Sequence, residues 1–252
     1  MKKFFFFLGF IISVFILSSC DKDDDNKDKN TPVFNNKKLL VYCSNNESGL
    51  YGRKYEYDSY GRPTQMYNSE GQSEKFSYNY NDLKFSVDLN NTLYDGRLTT
   101  KGYFETRLSS WSDISYFYDE NDHLVSELLK NEREQVEYTW IWVNDNIVTI
   151  TEKHKYSNNR NSNYEISFAF KYTNDLVQNP IENKAGIPFI FYSRDNIEPT
   201  IALKNLLGEA TKHLPVSLIS ETGEYRINWT LDSEGYPIKV DFDKKSLYFT
   251  WN

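Results

Sequence analysis

Tyr55-Glu56-Tyr57-Asp58-Ser59-Tyr60-Gly61-Arg62-Pro63-Thr64 decides the fold. Two aromatic residues separated by one polar residue carry the period-2 alternation of a strand with one apolar and one solvated face. The Asp that follows can hydrogen-bond its own backbone in a turn, and the Gly accepts positive φ at a bulge position. The unit reads as strand, turn, strand.

Moving outward along the chain, the unit recurs. Phe76, Tyr78 and Tyr80 precede Asn81-Asp82, and Tyr116 and Tyr118 precede Asp119-Glu120-Asn121-Asp122. Tyr138, Trp140 and Trp142 precede Asn144-Asp145-Asn146, while Phe168, Phe170 and Tyr172 precede Asn174-Asp175. Ile227, Trp229 and Leu231 precede Asp232-Ser233-Glu234-Gly235. Closely spaced turns between alternating runs predict an all-β antiparallel meander, with an aromatic face turned inward and a polar face to solvent. Ile141 and Val143 make the second face of the Trp140–Trp142 strand apolar too, which predicts burial on both sides. Residues 37–252 contain no second linker and read as a single antiparallel β domain.

One stretch breaks the rhythm. Leu203, Leu206, Leu207, Ala210 and Leu214 share one face of a helical wheel, Pro199 suits a first helical position, and Pro215 forbids continuation. The spacing predicts one amphipathic helix over about 199–213, packed on the sheet.

The N-terminal segment has a different character. Met1-Lys2-Lys3 precedes an apolar run from Phe4 to Leu17, broken only by Gly9 and Ser13. Fourteen residues are too few to span a hydrocarbon core, which takes roughly 20. The pattern is that of an export signal over 1–19. Leu17-Ser18-Ser19-Cys20 resembles the lipobox of bacterial lipoproteins, which implies an acylated Cys20 and attachment to a membrane through it. Residues 20–36 then read as a disordered acidic tether, because Asp21 to Asn30 contains nothing apolar to bury. As a flexible chain it would reach roughly 20–25 Å. Asp23, Asp24 and Asp25 just after the Cys look like a surface-export signal of Bacteroidetes lipoproteins, implying an outer-membrane, cell-surface address; Asp21 alone would instead resemble an inner-membrane retention signal.

Charge narrows the partners. The chain carries a formal −7, and removal of Lys2 and Lys3 with the signal leaves −9. An acidic surface argues against nucleic acid, whose phosphates need a basic stripe. Lipidation consumes one of the two cysteines, so Cys43 has no disulfide partner and reads as an inert thiol on a strand.

Catalytic patterns are thin. His123, His154 and His213 follow a turn, a strand and the predicted helix, with no metal-ligand spacing among them and no cofactor motif elsewhere. Asp241 and Asp243 share a strand face and form the one carboxylate pair a glycosidase-like reaction would use; a solvated strand face explains them equally. Trp111, Trp140, Trp142, Trp229 and Trp251 are read mainly as core, with an exposed sugar-stacking platform as the alternative.

Two resemblances complete the reading. Tyr55 to Thr64 looks like the YD repeat of bacterial surface proteins, a strand-turn-strand signature without chemistry of its own. Leu206-Leu207-Gly208, Lys212-His213-Leu214-Pro215, Tyr225-Arg226-Ile227-Asn228-Trp229 and Asp232-Ser233-Glu234-Gly235-Tyr236-Pro237 together are similar to a family of uncharacterised Bacteroidetes lipoproteins, a domain of unknown function with a porin-like fold. That resemblance implies an elongated antiparallel sheet, strongly curved or barrel-like, and no assigned activity. The expectation is a cell-envelope lipoprotein that is not an enzyme: a surface-binding or scaffold protein engaging glycan or an envelope protein. The alternatives are a structural envelope component whose sheet edges pair with other proteins, and a carboxylate-dependent polysaccharide hydrolase.

Overall fold

The computed structural model describes residues 38–45, 52–89, 91–108, 112–157, 162–186 and 206–252. Residues 1–36, read from the sequence as an export signal, a lipidated Cys20 and an acidic tether, lie outside the described residues. Eighteen strands are described: β1 (Leu40–Ser44), β2 (Arg53–Tyr57), β3 (Pro63–Asn68), β4 (Ser73–Asn79), β5 (Lys84–Leu89) and β6 (Thr92–Leu98) open the chain. They are followed by β7 (Phe104–Leu108), β8 (Asp113–Tyr118), β9 (Leu124–Lys130), β10 (Glu134–Val143), β11 (Asn146–Tyr156) and β12 (Tyr164–Lys171). The last are β13 (Ile181–Glu182), β14 (His213–Leu214), β15 (Ser217–Ser220), β16 (Gly223–Leu231), β17 (Pro237–Phe242) and β18 (Lys245–Trp251).

Sixteen of these strands form one closed antiparallel barrel, and β13 with β14 make a separate two-stranded sheet. Closure comes from β1 pairing with β18, where Leu40 faces Trp251 and Cys43 faces Phe249. A closed sheet has no free edge, so the edge-pairing expected of a structural component finds no edge among these sixteen strands. Sequential strands run up and down, so β1 and every later odd-numbered barrel strand begins at one rim. We call it the near rim, and the opposite end the far rim.

The alternation in the sequence sorts the side chains. Tyr55, Phe76, Phe85, Phe104, Tyr116, Trp140, Ile150, Phe168, Ile227, Val240 and Phe249 are buried in one apolar cluster. Cross-strand partners keep this parity around the ring, as in Trp140 with Ile150 and Ile150 with Phe168. The opposite parity carries charge: Glu137 sits across from Lys153, and Lys153 pairs with Glu165 at 2.9 Å. Arg97 likewise pairs with Glu105 at 3.2 Å and Lys171 with Glu224 at 3.0 Å, all on the outer face. A membrane-spanning barrel turns an apolar band outward around a polar lumen. Here the faces are exchanged.

The repeated unit now has a structural meaning. In Asp58–Arg62 the N–H groups of Tyr60 and Arg62 donate to Asp58 Oδ1 at 2.9 and 3.0 Å, and Gly61 stands at φ 77°. Asp119 accepts from Asn121 and His123 in the same way, both at 2.9 Å, and Asp232 accepts from Glu234 and Tyr236 at 2.9 Å. Positive φ falls at the fourth residue in each, Asp122 at 66° and Gly235 at 90°. Asn68–Gln72 and Thr99–Tyr103 are two further copies, closed by Gly71 and Gly102. Their polar first residue and fourth-position Gly are the signal, without the full aromatic pair that marks the others. We expect Gly61→Val to lower the unfolding midpoint more than Gly61→Asn, because forcing a β-branched residue into this conformation costs on the order of 1–3 kcal/mol while Asn tolerates it. Chemical denaturation of both variants measures this; equal effects would contradict the turn geometry.

The second aromatic of each pair has its own role. Tyr57, Tyr78, Tyr118 and Tyr172 donate their hydroxyls to the carbonyls of Leu40, Pro63, Phe104 and Ile147 at 2.5–2.8 Å. Trp142, Trp229 and Trp251 donate indole N–H to Leu124, Pro215 and Pro237 at 2.6–2.8 Å. All seven donors lie within the last three residues of even-numbered strands, or directly follow one, at the near rim, where β-bulges interrupt several of the ladders. Burial raises the four phenols above their ordinary range, which keeps them protonated and able to donate. The first aromatic fills the core and the second stitches the rim.

Two sequence expectations fail. The helix over 199–213 is not borne out: residues 199–205 lie outside the described residues, Leu206 to Gly208 forms a bend, and His213–Leu214 is strand β14. Leu206, Leu207 and Leu214 are fully buried against the core, and Gly208 at φ 81° breaks any helical path. Their spacing reflects burial in a plug over the near rim, not a helical stripe. That plug is held by backbone bonds from Phe104 N–H to Leu206 (2.7 Å), Glu209 N–H to Asp122 (2.9 Å) and Lys212 N–H to Asp145 (2.8 Å). The strand expected to be buried on both faces is not: Ile141 is 55% and Val143 49% exposed.

Candidate functional site at the far rim

The residues singled out in the sequence scatter. Cys20, Asp23, Asp24, Asp25 and Trp111 lie outside the described residues. Asp241 faces outward on β17, where Lys239 at 2.8 Å and the Ser246 hydroxyl at 2.5 Å hold its carboxyl below the usual range against the opposing effect of burial. Asp243 sits in the following turn at φ 50°, so the two carboxylates frame no cleft. Cys43 faces inward and is half-buried. Trp140 is core, and the indoles of Trp142, Trp229 and Trp251 are engaged at the rim as described.

The histidines occupy three settings. His123 closes the Asp119 turn, its Nδ1 3.0 Å from Asp119 Oδ2 and its ring stacked on Trp142 at 4.2 Å. His213 is held by Asn146, whose Oδ1 accepts its N–H at 2.8 Å. Both belong to the near-rim plug. His154 alone lies near the far rim, in a cluster that the sequence reading did not assemble.

Strand register builds that cluster. Tyr116 of β8 faces Glu127 of β9, Glu127 faces Tyr138 of β10, and Tyr138 faces Glu152 of β11. Four inward side chains thus alternate phenol and carboxylate in one row, with Glu127 and Glu152 buried. Neighbouring strands lie about 4.8 Å apart, which sets the two glutamates roughly 10 Å apart along the backbone. Burial, then Glu152 and Glu127, push the Tyr138 phenol up. Burial and Glu127 do the same to Tyr116 against the opposing charge of Arg107.

One turn of the alternation nearer the opening, His154 Nε2 lies 2.5 Å from Glu152 Oε1, and its Nδ1 is 3.9 Å from Glu134 Oε2. The Nδ1 atom is buried and makes no hydrogen bond among the described residues. Tyr164, across the strand pair, stacks on the imidazole with centroids 4.3 Å apart and planes 16° apart, and Tyr156 flanks both rings. Although it sits at an inward-facing position, Tyr164 is 41% exposed, because it begins β12 at the far rim. Its phenol is pushed up to about 12 by burial, then by Glu152.

Chemically, the far rim offers the exposed Tyr164 ring and the part-exposed Glu134 carboxylate, with His154 and the buried Glu152 behind them. Among the described residues, His154 makes no hydrogen bond to a serine or cysteine, and no three His, Cys, Asp or Glu side chains stand together as a metal site. The signal for the cluster was present in the sequence: Glu152 and His154 share the parity of the core residue Ile150 and so had to face inward.

No family model matches the sequence, and no curated protein matches it. Solved structures do. A porin-like protein from Bacteroides uniformis superposes with a TM-score of 0.65 at 17% identity, covering 88% of this chain and 99% of that one. A porin-like protein from Bacteroides vulgatus gives a TM-score of 0.59 at 12% identity, covering 85% and 99%. At these identities the likeness is one of fold: this chain shares the closed β-barrel of porin-like Bacteroides proteins.

Proposed function

We propose that this protein is a lipid-anchored, non-catalytic binding protein of the outer-membrane surface, tethered through Cys20 and engaging a glycan at the far-rim mouth. The observation that carries the binding reading is Tyr164: an inward-facing ring left open at the mouth, stacked on His154 and backed by Glu152 and Glu134. A flat ring face beside the part-exposed Glu134 carboxylate suits a ring-shaped, hydroxyl-rich ligand, which stacks its carbons and donates a hydroxyl. The charged outer face supports a barrel whose wall stands in water and does not cross a membrane, with the lipid as its anchor.

The anchor follows from the charged start, the apolar run and Leu17-Ser18-Ser19-Cys20. Cys20→Ala should release the protein from membrane fractions, and mass spectrometry should find wild-type chains beginning at an acylated Cys20. Asp23, Asp24 and Asp25 act in this reading as the surface-export signal; replacing them with Ala should protect the protein from protease added to intact cells. The YD-like hairpins contribute architecture rather than chemistry.

Binding is tested by titrating the mature protein with hexose and N-acetylhexosamine oligosaccharides. A stacked Tyr at the centre of a contact contributes about 2 kcal/mol or more, so Tyr164→Ala should weaken the tightest oligosaccharide by on the order of thirtyfold. An outward change such as Lys153→Ala should leave affinity unchanged. No binding across the panel, or equal loss in both variants, would sink the reading.

A further inference from the structure

We propose that the near rim, through the exposed side chains of Phe117, Ile141, Val143, Leu176 and Ile238, rests against the bilayer that holds the lipidated Cys20. The inference rests on the reading of Cys20 as an anchor and adds an orientation to it.

Eight large apolar side chains stand exposed among the described residues. Five of them gather at the near rim. Phe117 is next to last in β8, Ile141 and Val143 end β10, Leu176 lies in the loop after β12, and Ile238 is second in β17. Their exposure runs from 39% at Ile238 to 72% at Leu176. Each points away from the barrel axis or into the loop above it, so none contributes to the core. They trace an arc over β8 to β17, in ring order across β9, β10, β11, β12, β15 and β16. The other three, Leu93, Leu108 and Tyr164, stand singly at the far rim, and between the rims the outer wall is charged and ion-paired, as at Glu137, Lys153 and Glu165. An apolar arc at one end of a charged wall marks a contact surface rather than scattered exposure.

The chain itself says what lies opposite that surface. Lys38, the first described residue, precedes β1 at the same rim, and Asn252 N–H donates to the Leu39 carbonyl there at 3.1 Å. The tether of residues 20–36 therefore leaves from the apolar end. A flexible chain of that length would reach roughly 20–25 Å, which would keep this rim within a molecular diameter of the lipid, at an effective concentration in the millimolar range. A contact too weak to hold a free barrel on a membrane is sufficient under that constraint. Resting on this rim, the barrel turns its far-rim mouth, with Tyr164 and Glu152, away from the bilayer toward external ligands.

The test uses the mature lipidated protein with Cys43→Ser, carrying Ile141→Cys or Leu93→Cys as the single labelling site. Leu93 is exposed on β6 near the far rim and serves as the internal control. Each variant is labelled with a fluorophore and reconstituted into phosphatidylcholine vesicles containing nitroxide-bearing lipid. We expect the label at 141 to be quenched severalfold more than the label at 93. Equal quenching in protein that floats with the vesicles overturns the orientation while leaving the anchor intact. Protein that does not float with the vesicles overturns the anchor and the orientation together. Protection of the label at 141 that grows with protein concentration and ignores the nitroxide assigns the rim to a second copy of the chain and overturns the proposal.

Discussion

Phe104→Ala should cost about 3–5 kcal/mol of unfolding free energy, among the largest effects of any single truncation in the barrel. The ring is fully buried, with Phe85 stacked on it at a centroid distance of 4.2 Å and Tyr116 tilted at 5.9 Å. Its backbone also joins the rim to the plug, through the N–H to Leu206 at 2.7 Å and the carbonyl to Tyr118 Oη at 2.8 Å. Truncation leaves those bonds in place and removes only packing, so the loss is a cavity term. Phe117→Ala is the matched control: the ring sits on the neighbouring strand with opposite parity and is 50% exposed. Its loss should stay within about 0.5–1 kcal/mol. Urea titrations with unchanged m-values separate the two, and equal losses would contradict the assignment of inner and outer faces.

Gly208→Ala should be nearly as damaging, and for a different reason. The residue sits at φ 81°, and a Cβ there would stand 2.2 Å from the Asp122 carbonyl oxygen and 3.0 Å from the Tyr118 ring. The left-handed conformation costs an alanine about 1–2 kcal/mol, and overpacking against backbone adds about 1–3 kcal/mol. Gly71 provides the comparison, with φ 78° and nothing within 4 Å of the added Cβ. Gly71→Ala should therefore lose only the conformational part. Thermal melts of the two variants measure the difference. Similar shifts would mean that the plug is not seated on the Asp119–His123 turn.

What the sequence disclosed was whatever is local. A pair of inward aromatics followed by an Asx turn is complete within about ten residues, so Tyr55 to Pro63 could be read directly. Closure could not, because Leu40 and Trp251 meet across almost the whole chain and neither carries a mark of the other. The plug was misread because Leu206, Leu207 and Leu214 have helical spacing by coincidence of burial, and Gly208 inside that run was the residue that argued otherwise. At the far rim, every member of the cluster was visible as a strand residue of known parity. Only the register between β8, β9, β10, β11 and β12 brings Tyr116, Glu127, Tyr138, Glu152, His154 and Tyr164 together, and register between strands is set by turns whose lengths must all be right at once.

Polarity is the central point. Porin-like in outline, the barrel keeps its aromatics inside and its ion pairs outside, the polarity of a wall that faces water. The most direct test is the behaviour of the Cys20→Ala chain in detergent-free buffer. We expect a monomer by analytical ultracentrifugation, with a strand-dominated far-UV spectrum and one cooperative unfolding transition. A chain that aggregates or stays unfolded in water, and acquires its strand spectrum only in micelles, would contradict the account.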